Sequence, residues 1–190
     1  RGVSGPAPGT DERAVLAAGI VMRPARITDA AALAAAYREN REHLRPFEPA
    51  RTDAFFTSAG QRAQLAGRIA ERAAGSGLPY LIVERDRVIG RCDLFAVKRG
   101  AAQSASLGYW IDRERQGAGL ATAAAREAVR IARAAGLHRL EASTLVGNGG
   151  SEEVLTRAGF DAIGIAPAYL RIDGAWSDHT LWQRVVDGAH

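Results

Sequence analysis

Hydrophobic positions along the chain follow two spacings, one typical of amphipathic helices and one typical of strands. Apolar residues three or four apart predict helices over residues 28–41, 58–74, 120–135 and 151–158. Short runs rich in Val, Ile, Leu and aromatic residues predict strands over residues 20–23, 80–84, 88–97, 104–111, 138–146, 160–166 and 179–185. With 190 residues, this set of elements fits one α/β domain and leaves little room for two.

Turn signals organise these elements further. Residues 85–87 and 99–101 separate neighbouring predicted strands in a hairpin-like way, so the three strands around them are expected to form an antiparallel meander. Residues 1–19 are rich in Gly, Pro and Ala without sustained periodicity, which predicts a tail or tag remnant. The folded domain is therefore expected to span residues 20–187.

Composition narrows the class of protein. The chain is 47% hydrophobic and 24% charged, as in ordinary globular proteins rather than disordered or membrane chains. All its basic residues except Lys98 are arginine, which suits an anionic cofactor but also reflects genome composition. A single cysteine, Cys92, and the lack of zinc-type spacing predict neither a disulfide nor a metal site, with a cytoplasmic setting as the default.

The sharpest local signal is a glycine-rich turn at residues 116–119, between a predicted strand and the start of the long helix at residue 120. The first amide groups of a helix have no partner within the helix and attract anions, and small residues let a phosphate approach them. The turn therefore indicates a pyrophosphate site. It lacks the Lys of a Walker A loop, and a tight turn that binds nothing remains the alternative.

Several motifs are similar to those of one family. The pattern Gln-x-x-Gly-x-Ala at residues 116–121 resembles the acetyl-CoA signature of the GCN5-related N-acetyltransferases. The sequence LGYWI at 107–111, Asn-x-x-Ser at 148–151 and RAGF at 157–160 resemble the RimJ/RimL-type branch, which acetylates the N-terminal amines of proteins. The segment DGAWSDH at 173–179 is similar to that branch as well.

The resemblance implies a GNAT fold, an α+β arrangement with a mixed, mostly antiparallel sheet of six to seven strands and about four flanking helices. The two central strands, here predicted over residues 104–111 and 138–146, splay apart in this family to admit the pantetheine arm of acetyl-CoA. The implied reaction is direct transfer of an acetyl group to a primary amine, first of all the N-terminal α-amine of a protein or peptide. Such an amine has an ordinary pKa of ~7.7 to 8.0, so it is partly neutral at pH 7 and needs little help from a base.

The resemblance also implies roles for individual residues. Residues 43–49 correspond to the segment with which the family lines its acceptor pocket. The expected acceptor-binding side chains are His43, Arg45, Phe47 and Tyr109. The expected cofactor-binding residues are Trp110, Ile111, Gln116, Gly117, Ala118, Gly119, Leu120, Ala121, Thr122, Asn148, Ser151 and Arg157.

The catalytic groups follow the family pattern only in part. Ser151 falls where this branch places a serine proposed to protonate the CoA sulfur, although a serine there also suits a helix N-cap. Positions that often carry a base or acid in the family hold Ser106, Leu155 and Leu170 instead. Glu141 is the substitute candidate for a base acting through water, provided that its side chain faces the cleft.

The unusual base positions leave other functions open. The acceptor is alternatively a small amine or an antibiotic, or the chain is a CoA-binding sensor module whose transfer activity is impaired. Arginines are spread along the chain rather than clustered, so no specific nucleic acid is expected as a partner, and no membrane partner is expected either. The oligomeric state is expected to be monomer or homodimer.

Overall fold

The structure is a computed structural model that describes residues 12–186. Eight strands form one sheet in the order β1-β2-β3-β4-β5-β6-β8-β7. The strands are β1 (Ala14–Ala17), β2 (Ile20–Pro24), β3 (Leu78–Glu84), β4 (Arg87–Lys98), β5 (Ser104–Ile111), β6 (Arg139–Leu145), β7 (Asp161–Ile172) and β8 (Ala175–Val185). The helices are α1 (Ala30–Glu39), α2 (Arg41–Leu44), α3 (Ser58–Ala73), α4 (Leu120–Ala134) and α5 (Gly149–Arg157), with short 3-10 turns between them.

Every helix and strand predicted from the spacing is present, and the differences lie mainly at the ends. The first predicted helix stops at Asn40 and is followed by the separate short helix α2. The last hairpin is longer than expected because β7 and β8 continue to the turn at Asp173 and Gly174, whose φ angles are +44° and +86°. Two successive residues with positive φ form the kind of turn that matches the twist of a hairpin.

Strand β1 was not expected. It pairs antiparallel with β2 across a turn at Gly19, so the prediction of a tail through residue 19 is wrong for residues 14–17. The strand has only four residues, too few for alternation to stand out, and its partly buried Leu16 and Ala17 pack against the core. Residues 1–11 of the predicted tail lie outside the described residues, as does the expected end of the domain at residue 187.

Two hydrophobic cores lie on the two faces of the sheet. One packs the apolar side chains of the sheet against α4 and α5, with alanines on α4 allowing close approach. The other packs the opposite face against α1 and α3 around Tyr37, Leu65 and Trp110. Alternate residues of the central strands therefore face different helices, and this alternation decides which side chains reach each side of the sheet.

The parallel pair of β5 and β6 opens along its length. Pairing runs from Ser104↔Arg139 to Ser106↔Glu141, and beyond that pair the two strands have no register partners with each other among residues 12–186. Beyond the same point, β5 continues to pair with β4, and β6 with β8. The expected splay of the central strands is present, and it leaves a slot through the sheet.

The buried amide of Asn40 ties the first helix to the segment that follows β5. Its Nδ2 donates to the carbonyl of Ala36 at 3.0 Å, and its Oδ1 accepts the backbone N–H of Arg113 at 2.9 Å. The substitution Asn40→Ala is expected to lower the free energy of unfolding by about 1–3 kcal/mol, because it leaves the Arg113 N–H without its partner. Chemical denaturation measures this loss. Arg113→Ala is the control, since it keeps the backbone bond and should change stability much less; equal losses would contradict the assignment.

Candidate active site

A cleft of about 430 Å³ opens where β5 and β6 separate, on the side of α4 and α5. We refer to it as the splay cleft. Its walls come from α2 and the 3-10 turn after it, from β5, from the turn before α4 and from α5. The lining residues are His43, Leu44, Phe47, Tyr109, Trp110, Ile111, Arg115, Gln116, Gly117, Gly119, Leu120, Ala121, Thr122, Asn148, Gly150, Ser151, Glu153, Val154 and Arg157.

The floor at one end of the cleft is the N-terminus of α4, a helix of fifteen residues. Gly119 is its N-cap residue with φ +74°, and Gly117 has φ +75°, a backbone region that costs other residues energy. A Cβ built on either glycine would meet nothing within 4 Å, so the space over the turn is open. Unpaired amides, a helix dipole and open space over small residues fit a pyrophosphate group.

The strand β5 contributes its backbone to the cleft. The Trp110 side chain lies on the opposite face of the sheet, where its Nε1 donates to the Tyr37 hydroxyl at 3.2 Å. Because the pairing of β5 with β6 has ended by this point, the main chain at Trp110 and Ile111 is available to an extended ligand. Backbone recognition of this kind, as of an added strand, needs no special side chains.

Two hydroxyl groups meet in the middle of the cleft. The Tyr109 Oη lies 2.8 Å from Ser151 Oγ and donates to or accepts from it, and it lies 3.2 Å from the Ser151 carbonyl. Burial raises the pKa of Tyr109 to about 12, although the bond to Ser151 opposes the shift. The phenol therefore keeps its proton at neutral pH. The sequence predicted that Tyr109 binds the acceptor and gave no indication of its contact with Ser151.

The helix cap explains why the Ser151 hydroxyl is available. Asn148, rather than Ser151, is the N-cap residue of α5, and its side chain accepts the Ser151 backbone N–H at 3.3 Å. The prediction that Ser151 caps this helix is therefore wrong. Asn is as favourable as Ser in the cap position, so the helix starts earlier and the Ser151 side chain is left to bond with Tyr109.

The loop expected to line the acceptor pocket contributes side chains to two separate cavities. His43 and Phe47 line the splay cleft, and His43 Nε2 lies 2.8 Å from Gln116 Nε2. Burial, with the charge of Arg113, lowers the pKa of His43, so the neutral ring can accept the Gln116 N–H. Arg45 lines a separate cavity of about 120 Å³ and forms an ion pair with Asp173 at 3.6 Å.

Glu141 does not reach the splay cleft. It lies at the last paired position of β5 and β6, where the sheet is closed, and its Oε2 is 3.5 Å from Lys98 Nζ. The structure therefore does not bring Glu141 together with the other candidate catalytic residue, contrary to the expectation. Ala118 is the one expected cofactor residue that is absent from the lining, since Gly117 and Gly119 on either side of it face the cleft.

Five lining residues were not in the predicted site. Gly150 and Val154 share one face of α5 with Arg157, since the three residues are four and three positions apart. This helical spacing from Arg157 could have predicted that both residues line the cleft. Arg157 itself is held by Glu153 at 2.6 Å. No comparable local pattern marked the others. The five residues are Leu44, Arg115, Gly150, Glu153 and Val154.

Other candidate chemistries find less support. Cys92 is 1% exposed, its Sγ lies 3.7 Å from the Ala124 carbonyl, and burial raises the pKa of its thiol, which fits a structural role rather than that of a nucleophile. Within residues 12–186, no group of three or more His, Cys, Asp or Glu side chains is placed to hold a metal ion. In the same part of the chain, no helix has the length and apolar character needed to cross a membrane.

The sheet order, the splay of β5 and β6 and the helix N-terminus at the mouth of the slot together define an acetyltransferase of the GNAT fold. Comparison with known families agrees. The family model described as "Acetyltransferase (GNAT) domain" matches residues 20–161, so the chain belongs to this family.

Comparison with individual relatives identifies the branch of the family as the RimJ/RimL type. The chain is 37% identical over 166 residues to the [ribosomal protein uS5]-alanine N-acetyltransferase of Escherichia coli K12, covering 85% of each chain. The crystal structure of a ribosomal-protein-S5-alanine acetyltransferase from Vibrio fischeri superposes with a TM-score of 0.89 at 30% identity, covering 94% of this chain and 98% of the other. Mycobacterium smegmatis RimJ in complex with CoA-disulfide has a TM-score of 0.84 at 34% identity, covering 88% and 82%.

Proposed function

We propose that the protein transfers an acetyl group from acetyl-CoA to the N-terminal α-amine of a protein, with a ribosomal protein as the first candidate for the acceptor. The observation that carries this proposal is the splay cleft, which joins an open helix N-terminus to the paired hydroxyls of Tyr109 and Ser151. The relative from Escherichia coli, which is 37% identical, supports the choice of acceptor.

The cleft supports a specific placement of the cofactor. The amides of the turn at Gly117 and Gly119 and of the first turn of α4 would hold the pyrophosphate, and the main chain of Trp110 and Ile111 would hold the pantetheine arm. Arg157, at the edge of the cleft, would add charge toward the phosphates. When bound there, acetyl-CoA supplies an activated acetyl thioester.

The chain's own contribution to the reaction is positioning and one proton. Holding two reactants in place is worth up to ~7 to 11 kcal/mol of the barrier, and a neutral α-amine needs no strong base. The Ser151 hydroxyl, oriented by Tyr109, would donate its proton to the departing sulfur. The proton that the amine nitrogen loses as the amide forms would return to Ser151 through solvent, while the Tyr109 phenol keeps its own proton. Cys92 is buried and is not among the residues that line the cleft, which supports direct transfer without an acyl-enzyme.

The proposed acceptor predicts a pH dependence. The kcat/KM for an N-terminal peptide should rise about tenfold per pH unit below the amine pKa of ~7.7 to 8.0 and level off above it, because only the neutral amine attacks. It should not fall again below about pH 11, because Tyr109, with its pKa raised to about 12, stays protonated. Thiol release from acetyl-CoA measures this profile.

A peptide blocked at its N-terminus and carrying one lysine is the matched control. Its ε-amine, with an ordinary pKa of ~10.4, should react at least 10²-fold more slowly at pH 7.5. Equal rates for the two peptides would contradict the choice of an α-amine. Tight CoA binding without thiol release for any peptide or small amine would instead support the sensor module.

A further inference from the structure

A second cavity of about 430 Å³ lies on the face of the sheet opposite the splay cleft, between α3 and strands β4 and β5. We refer to it as the α3 cavity. The guanidinium groups of Arg68 and Arg91 and the carboxylate of Asp93 line it, together with the backbone at Gly108. The reaction steps proposed above use none of these side chains.

The three charged groups form one compact cluster. Asp93 Oδ2 accepts from Arg68 and lies 3.1 Å from Arg91 Nε, while Oδ1 accepts the Tyr80 amide N–H at 3.2 Å. The Asp93 side chain is 3% exposed, and those of Arg68 and Arg91 are 26% and 17% exposed. Because one carboxylate neutralises one guanidinium, the three-residue cluster by itself carries one formal positive charge, which an anion would offset.

A second carboxylate, from Glu71, also lines the cavity. It lies toward the end of α3, where its Oε2 is 3.2 Å from the position that a Cβ would take on Gly77. The part of the cavity next to Gly108 holds its register partner Asp93 and the two arginines that contact Asp93. This is the part that faces the slot.

The cluster lies beside the slot in the sheet. Asp93 is the register partner of Gly108, and the next residue, Tyr109, lines the splay cleft on the other face. Successive strand residues point to opposite faces of the sheet, with Cα atoms about 3.8 Å apart. Two adjacent residues of β5 therefore line the two cavities, Gly108 the α3 cavity and Tyr109 the splay cleft. A Cβ on Gly108 would lie 3.1 Å from Phe95 Cε1, so a larger residue at this position would crowd the wall of the α3 cavity.

We propose that the α3 cavity is an acceptor subsite, in which Arg68 and Arg91 bind a carboxylate that the acceptor carries close to its reacting amine. This inference rests on the proposed function and adds a charge preference for the acceptor. Planar guanidinium groups bind carboxylates through paired N–H···O bonds. The carboxylate is either an acidic side chain within the first four residues of a peptide or the C-terminal carboxylate of a very short acceptor.

The test uses the full chain loaded with CoA and matched peptides with amidated C-termini. The peptides differ only in carrying Glu or Gln at residue 2, 3 or 4, and a dipeptide is added as free acid and as amide. Calorimetry gives Kd, and thiol release from acetyl-CoA gives kcat/KM. We expect about tenfold tighter binding of Glu than Gln at one of these positions. A preference confined to the dipeptide acid would assign the subsite to a C-terminal carboxylate.

Two variants and one control complete the test. Arg68→Gln should remove the preference for Glu while leaving the Gln peptides unchanged, whereas Arg62→Gln, at an exposed position of the same helix, should retain it. Gly67→Leu is the second variant if Arg68→Gln does not fold. A Cβ on Gly67 would meet nothing within 4 Å, and the larger side chain should obstruct the cavity and weaken binding of the Glu peptide.

The outcomes separate the two proposals. Equal Kd values for Glu and Gln at every position, and for the two dipeptides, would overturn the carboxylate subsite even if all the peptides were acetylated. A preference for Glu in Kd without acetylation of any peptide would support the subsite and overturn the proposed function.

Discussion

Gly119→Asp is expected to abolish binding of CoA while leaving the fold intact, with Kd rising by at least about 10²-fold. The substitution places a carboxylate at the N-cap of α4, in the open space where the cofactor's pyrophosphate is expected to lie. At about 4 Å and an effective dielectric constant of about 20, two like charges repel by about 4 kcal/mol, enough for this loss. Calorimetry with CoA measures Kd, and a thermal melt checks the fold.

Gly119→Asn is the matched control because it separates charge from backbone strain. Both side chains have nearly the same shape, and both residues tolerate the left-handed φ of +74° at this position better than other residues do. The Asn variant should therefore bind CoA far more tightly than the Asp variant. If the two variants lost affinity equally, the loss would come from the backbone, and the phosphate assignment would not stand.

Ser151→Ala should lower kcat by about 10²-fold with little change in the Kd of CoA, since it removes the proton donor but none of the phosphate contacts. Tyr109→Phe should lower kcat by about tenfold, because the ring still packs but the bond that orients Ser151 is lost. Steady-state kinetics with an N-terminal peptide, beside calorimetry with CoA, measures both effects.

The double variant distinguishes a pair from two separate contributors. If Tyr109 acts through Ser151, then adding Tyr109→Phe to Ser151→Ala should cost little more than Ser151→Ala alone. Thr156→Ala is the control, since this exposed hydroxyl on the same helix donates to the Glu152 carbonyl at 2.9 Å and its loss should leave kcat unchanged. Full additivity of the two substitutions would contradict the proposal that Tyr109 acts by orienting Ser151.

Much of the fold could be predicted because its signals are local. A regular apolar stripe and a glycine before the first turn predicted the long helix. The structure has this helix over Leu120–Ala134, with Gly119 as its N-cap residue. The glycine-rich turn also marked the end of the cleft where we propose that the phosphates bind, since the unpaired amides of a helix start follow from chain geometry alone. Strand β1 escaped prediction because four residues carry too little periodicity.

The contact between Tyr109 and Ser151 could not be predicted, because it depends on how distant segments meet. Tyr109 and Ser151 are 42 positions apart, and their contact follows from the splay of β5 and from the start of α5 at Asn148 rather than later. Glu141 was misjudged for a related reason. Its strand was correct, but the point at which β5 and β6 separate lies just beyond it, and no local pattern in the sequence marks that point.

The most direct test of the account is a crystal structure of the full chain with CoA. We expect the pyrophosphate oxygens within hydrogen-bond distance of the amides at the start of α4, and the sulfur next to Ser151 Oγ. A structure that shows CoA bound elsewhere, or with its sulfur pointing away from Tyr109 and Ser151, would contradict the account.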